Sequence, residues 1–217
     1  SMFVLSFLLG LSLWTTAISM RTHSVPHVYL GFVSVIAMWS WHEMAFLTGW
    51  LTGPRRVVLD KGLKLRQRFV QSVQVLLHHE LALLFNFGLL VAMQQGQPNH
   101  MALCTFALLW CMRVSAKLNL FFGVPFVGEQ YLPVHLRYIS SYFALRPMNL
   151  LFPFSITLGT ILSAWLFHKA FANDANEYQA IGFMLVAMLA SLAVLEHWFL
   201  MLPLPLEALW HWGLRGN

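Results

Sequence analysis

Six apolar runs dominate this chain, at about 2–20, 27–53, 69–93, 101–122, 151–171 and 178–202. A helix needs about 20 mainly apolar residues to cross the hydrocarbon core of a bilayer, at about 1.5 Å per residue. Backbone groups in lipid must bond within their own segment, so the runs predict helices rather than irregular chain. Composition points the same way. Only 10% of the 217 residues are charged and 59% are hydrophobic, where soluble domains carry about 25% charged residues. The expected fold is all-α: a polytopic membrane helix bundle of about six transmembrane helices. Residues 1–217 would form a single integral membrane domain with little room for a soluble one. The opening Ser1-Met2-Phe3-Val4 has no basic region before it and no small-residue cleavage site, which predicts no cleaved signal peptide.

Loop charges predict orientation. The segment 54–68 carries Arg55, Arg56, Lys61, Lys64, Arg66 and Arg68; the loop 123–150 carries Arg137 and Arg146, and the tail carries Arg215. The opposite loops hold Arg21 and Lys169. The positive-inside rule then puts 54–68, 123–150 and both termini in the cytoplasm. The net charge of +5 is expected to meet membrane lipids rather than nucleic acid, because no nucleic-acid-binding motif accompanies it. The loop 123–150 is aromatic, proline-broken and lightly charged. It predicts a short interfacial helix near 133–144, with Tyr131, Tyr138, Tyr142 and Phe143 at headgroup level. Cys104 and Cys111 lie about 10 Å apart along one helix face, too far to bond to each other.

Ionisable residues at membrane depth are costly and face a bundle interior or a cavity, so they are the default functional candidates. Run two holds His42 and Glu43. Run three holds His78, His79 and Glu80 with Asn86; run four holds Arg113, Lys117 and Asn119; run six holds Glu196 and His197. Counted from the ends carrying the basic loops, Glu43 lies about 15 Å deep, Glu80 about 18 Å, Arg113 about 13 Å and Lys117 about 8 Å. These clusters therefore fall in one layer. Arg113 and Lys117 share a helix face one turn apart, and Glu43 and Glu80 are the natural counter-charges. Three readings follow: a salt-bridge layer that fixes packing, a binding site for a ligand or partner, or a metal site. For metal, the candidate ligands are His42, His79, Glu80, Glu196 and His197. The His–Glu pairs are adjacent, however, and adjacent residues diverge by about 100° around a helix. None shows the Glu-x-x-His spacing of bundle di-iron sites. A macrocycle would need one neutral imidazole, from His42, His78 or His79. Gly49-x-x-x-Gly53 precedes Pro54 and predicts helix termination over helix pairing. No catalytic serine motif and no phosphate-binding glycine loop is present.

The blocks EMAFLTGWLTGPRR, LLHHELALL, LLWCMRVSAKLNLFFGVP and YLPVHLRYISSYFALRPMNLLFPFS, in this order, carry a resemblance. The chain resembles the photosynthetic complex assembly protein PuhE family of phototrophic bacteria over about residues 42–157. Glu43, Thr48, Gly49, Thr52, Gly53, Pro54, Arg55, His79, Glu80, Arg113, Ser115, Lys117, Asn119, Pro133, Asn149 and Pro153 coincide with its motifs. Phe126 departs from the polar residue expected there. The resemblance implies a gene beside reaction-centre and bacteriochlorophyll genes, location in a bacterial inner membrane (cytoplasmic or intracytoplasmic), and reaction-centre or light-harvesting proteins as partners. It implies an assembly factor for the photosynthetic apparatus, with a pigment, lipid or partner helix bound at the polar layer, and no catalytic residue set. The alternatives are a membrane enzyme, such as a metal-dependent oxygenase acting on a tetrapyrrole or carotenoid, and a structural membrane subunit. The candidate cofactors are bacteriochlorophyll or its precursor, and iron.

Overall fold

A computed structural model describes residues 2–202. The apolar runs form six α-helices: α1 Met2–Ser19, α2 Val25–Leu47, α3 Leu65–Gln94, α4 Met101–Phe122, α5 Leu151–Ala170 and α6 Glu177–Phe199. Helices α2 to α6 are long and apolar enough to cross a membrane, and α1 is an apolar, shorter helix. Among the described residues the only extended pairing is an isolated bridge between Val124 and Leu145. Large apolar side chains such as Phe7, Val33, Phe85, Leu158 and Leu192 point outward, the reverse of a soluble bundle and the surface that lipid requires. The expected C-terminal tail with Arg215 lies outside the described residues, as does the side chain of Tyr131.

Helix α2 ends at Leu47, six residues before its apolar run does. Gly49 takes φ +77°, a left-handed conformation that costs glycine little and stops a helix. Residues 48–53 then turn back onto α3. The His79 amide donates to the Thr52 carbonyl at 3.0 Å. Gly53 sits so close to α3 that a Cβ would collide with the Gln74 and Val75 carbonyls. The first glycine of the Gly49–Gly53 pair thus terminates α2, and the second makes a backbone contact within the chain. The early stop also brings Glu43 to four residues, about 6 Å, from the end of the helix.

Helix α4 is the hub and touches α2, α3, α5 and α6, while α1 packs on α2 and α5 on α6. In lipid, helices gain little from hydrophobic association, and close packing at small residues replaces it. Gly31 of α2 lies against Ser19 and Ala102, and Gly159 of α5 against Val194 of α6. Ser163 of α5 and Ser191 of α6 share a 2.6 Å hydrogen bond. One apolar core joins Met38, Leu83, Leu90 and Phe106; a second joins Val28, Met101, Leu166 and Val186.

The loop 123–150 carries two 3₁₀ stretches, Glu129–Tyr131 and Val134–Tyr142, where the sequence predicts one short helix near 133–144. Tyr142 is buried against Phe46, Val75, Leu136 and Ile139 rather than presented on the surface. The Arg55 Nε donates to its hydroxyl, which donates to the Val57 carbonyl, each at 2.8 Å. Arg68 donates to the Phe121 and Tyr142 carbonyls and covers the Phe121 ring. These backbone acceptors, invisible in composition, draw the loop inward. Arg55 also pairs with Asp60 at 2.8 Å, and Gln71 donates to the same carboxylate at 2.6 Å. The Gln71 bond first, and then Arg55, hold the Asp60 carboxyl below its usual range.

Candidate functional site

Helix α4 carries the cations. Arg113 and Lys117 stand four residues apart, so both emerge from one face and meet different neighbours. Arg113 Nη2 donates to Glu43 Oε2 of α2 at 2.8 Å, and Nη1 reaches Glu196 Oε1 of α6 at 3.4 Å. Lys117 Nζ lies 2.5 Å from Glu80 Oε1 of α3. Trp110, one turn before Arg113, donates its indole N–H to Glu80 Oε2 at 3.3 Å. Three carboxylates from three helices thus converge on two cations of a fourth. The partial exposures of Glu43 and Arg113, 20% and 34% of the side chain, place the first pair at the edge of the bundle rather than in a sealed core. Glu43 Oε1 and Arg113 Nε are buried without a hydrogen-bond partner among the described residues.

The histidines divide. His42 is buried, and the Asn86 side-chain amide donates to its Nε2 at 2.9 Å. His42 therefore faces α3 while Glu43, 100° further round α2, faces α4. His79 is buried against the Phe46 ring, 4.9 Å between centroids. His78 is exposed on the outer face of α3. His197 Nδ1 donates to the Ala193 carbonyl at 2.8 Å, and its Nε2 lies 2.9 Å from the Ser115 hydroxyl. Ser115 also meets Ser155 at 2.9 Å, and Asn119 donates to Ser155 at 3.0 Å. This second polar chain ties α4 to α5 and α6. Asn149 completes it by donating to the Gly123 carbonyl and accepting from the Leu151 and Phe152 amides at the start of α5.

The candidate metal ligands His42, His79, Glu80, Glu196 and His197 are therefore dispersed, each engaged with different neighbours. Among the described residues no group of three His, Cys, Asp or Glu side chains is placed to hold a metal ion, so the donor set does not fit iron. A tetrapyrrole fares no better inside the bundle. A cavity of about 210 Å³ opens at Glu43, Arg113 and Glu196, walled by Trp39, Leu108, Leu109, Met112, Leu189 and Ala193. Another of about 200 Å³ lies between α3 and α4 over Glu80 and Lys117. Both fall below the ~300–1,000 Å³ of typical small-molecule sites. Among the three axial candidates, only His78 presents an open face. Trp39, Trp110 and Ser155 were absent from the residues singled out in the sequence. Trp110 was within reach of pattern reasoning, because 110, 113 and 117 form an i, i+3, i+7 stripe. Ser155 was not, since its partners depend on how α5 turns.

No solved structure matches the chain. A protein of Rhodobacter capsulatus, described as an uncharacterized 30.4 kDa protein in the puhA 5′ region, is 42% identical over 191 residues, covering 88% of this chain and 69% of that protein. The family described as Protein of unknown function (DUF3623) matches residues 1–217. The chain belongs to the DUF3623 family.

Proposed function

We propose that this protein is a membrane-embedded assembly factor for the photosynthetic apparatus and that it works by holding a partner helix or lipid at the ion-pair layer around α4. The observation that carries this reading is the layer itself: Arg113 and Lys117 are met by Glu43, Glu80 and Glu196 from three helices, with one open cavity at the Arg113 cluster and another at the Lys117–Glu80 pair. A layer serving packing alone would have no need of an open cavity or of buried polar atoms left without partners. The relative whose name places it in the puhA 5′ region supports a photosynthetic setting, in line with the gene neighbourhood that the motif resemblance implies. The protein would sit in the bacterial inner membrane as one integral domain, with the loops of Arg55 and Arg146 and both termini facing the cytoplasm. Reaction-centre or light-harvesting proteins are the partners this reading expects. A pigment reading has one observation of its own: His78 faces outward at mid-length on α3, where a chlorin could be ligated from the lipid side.

The test replaces Glu80 with Gln in the encoding bacterium and records the near-infrared absorption of its membranes. Accumulated pigment–protein complex should fall by more than any fall in the variant protein itself, read by immunoblot. Unchanged absorption would count against the assembly role.

A further inference from the structure

Helices α2, α4 and α6 run in the same direction: their starts meet at one end, and Glu43, Arg113 and Glu196 meet towards the other. Near their starts they are in close contact, with Gly182 of α6 lying against Val28 of α2 and Met101 of α4. From that junction Glu43 is fifteen residues along α2, Arg113 twelve along α4 and Glu196 fourteen along α6, about 18–23 Å at the helical rise. The same cavity of about 210 Å³ opens there, with Trp39, Leu109, Met112 and Ala193 as its apolar walls. The three helices therefore line a small cleft with apolar walls and a charged mouth.

The mouth is not neutral. One guanidinium faces two carboxylates, and the second is poorly used: Glu196 stands 3.4 Å from Arg113 with 56% of its side chain exposed. Glu43 Oε1 has no partner among the described residues. Glu196 is the acceptor that the mouth presents, and an excess anion at the edge of a low-dielectric region is costly until a cation or a donor meets it. We infer that this cleft docks the transmembrane helix of a partner protein through one lysine or arginine near that helix's cytoplasmic end. This rests on the assembly-factor reading and specifies its occupant.

Size and charge select that occupant. The cavity is below the ~300–1,000 Å³ of small-molecule sites but admits a single long side chain. A phospholipid amine would bring its own phosphate toward two carboxylates, whereas a basic side chain brings positive charge alone. Helices carry Lys and Arg at their cytoplasmic ends, and such side chains lay an apolar stem along apolar surface while the charge seeks a polar partner. The apolar walls below Glu43 and Glu196 match that stem.

The experiment reconstitutes the protein in phosphatidylcholine vesicles with a synthetic leucine–alanine transmembrane peptide of about 23 residues. The peptide bears a fluorescent acceptor for energy transfer from the protein's tryptophans and either Lys or Leu near its cytoplasmic end. The Lys peptide should associate at least tenfold more tightly than the Leu peptide. Glu196→Gln, which leaves the Arg113–Glu43 pair to hold the fold, should abolish that preference. Glu196→Lys should transfer it to a peptide bearing Glu. Equal association of Lys and Leu peptides, or a Lys preference that survives Glu196→Gln, overturns the inference. Loss of the preference when phosphatidylethanolamine replaces phosphatidylcholine would assign the cleft to a lipid headgroup and overturn it as well. If it fails while Glu80→Gln still lowers complex accumulation, the helix-docking assignment falls and the assembly role stands.

Discussion

Glu80→Gln should destabilise the protein more than Glu43→Gln, although both remove one carboxylate from the same layer. Lys117 has one carboxylate in salt-bridge contact among the described residues, Glu80; Arg113 has two. Removing one member of a fully buried pair costs about 3–5 kcal/mol, while exposed pairs are worth about 0–1 kcal/mol. Glu80 and Lys117 retain 28% and 21% exposure, so the cost of Glu80→Gln falls between those limits, at about 2–3 kcal/mol. In Glu43→Gln the guanidinium keeps Glu196, and a glutamine oxygen can still accept from Nη2, which leaves about 1 kcal/mol, the size of one ordinary hydrogen bond. At about 2–4 °C per kcal/mol for a chain of this size, the melting temperature should drop by about 4–12 °C in the first variant and about 2–4 °C in the second. Thermal melting of the purified protein in detergent, followed by tryptophan fluorescence, reads both. A double-mutant cycle with Lys117→Met isolates the pair and should give a coupling above about 1 kcal/mol. A larger loss in Glu43→Gln, or additive effects of Glu80→Gln and Lys117→Met, would refute the assignment of Glu80 as the carboxylate in contact with Lys117.

Two further outcomes follow from the loop between α2 and α3. Gly53→Ala should lower the melting temperature by about 4 °C or more, equivalent to at least ~1–2 kcal/mol, because its Cβ would strike backbone carbonyls of α3 that cannot swing aside; an unchanged melting temperature would show that the contact is looser than described. Asp60 titrates below its unfolded value of about 3.9, so its contribution is present above that value and is lost as pH falls through the lower folded value. Pepsin cleavage within 54–64 should therefore accelerate as pH drops below about 4, and Asp60→Asn should remove that acceleration; equal acid dependence in both proteins would contradict the clasp.

The helices were legible because lipid leaves the backbone few options, and runs of apolar residues report that directly. That Glu43 and Glu80 would serve as counter-charges of Arg113 and Lys117 was legible for a related reason, two cations one turn apart at shared depth with acidic residues; which carboxylate meets which cation depends on how the helices are rotated. The early end of α2 was not, since its apolar run continues to residue 53 and only the left-handed Gly49 and the close approach of Gly53 to α3 break it. The burial of Tyr142 was missed because composition sees an aromatic ring near a headgroup layer, whereas the backbone carbonyl of Val57 and the guanidinium of Arg55 give its hydroxyl better partners inside. The partners of His42 and His197 depend on helix rotation about the long axis, which a single sequence constrains weakly.

The position of α4 as hub has a consequence for synthesis. A helix bearing Arg113 and Lys117 enters a bilayer poorly alone: a cation near a span's centre, as Arg113 is, carries a penalty of about 2.5–3.5 kcal/mol, and Lys117 adds a smaller one nearer the end. The ribosome delivers Glu43 on α2 and Glu80 on α3 before α4 emerges. The anions are thus already waiting when the cations reach the membrane, and α4 can insert against its neighbours as an ion-paired unit. Glu196 arrives last, after Arg113 has found its first partner, and closes the order in which the layer is built.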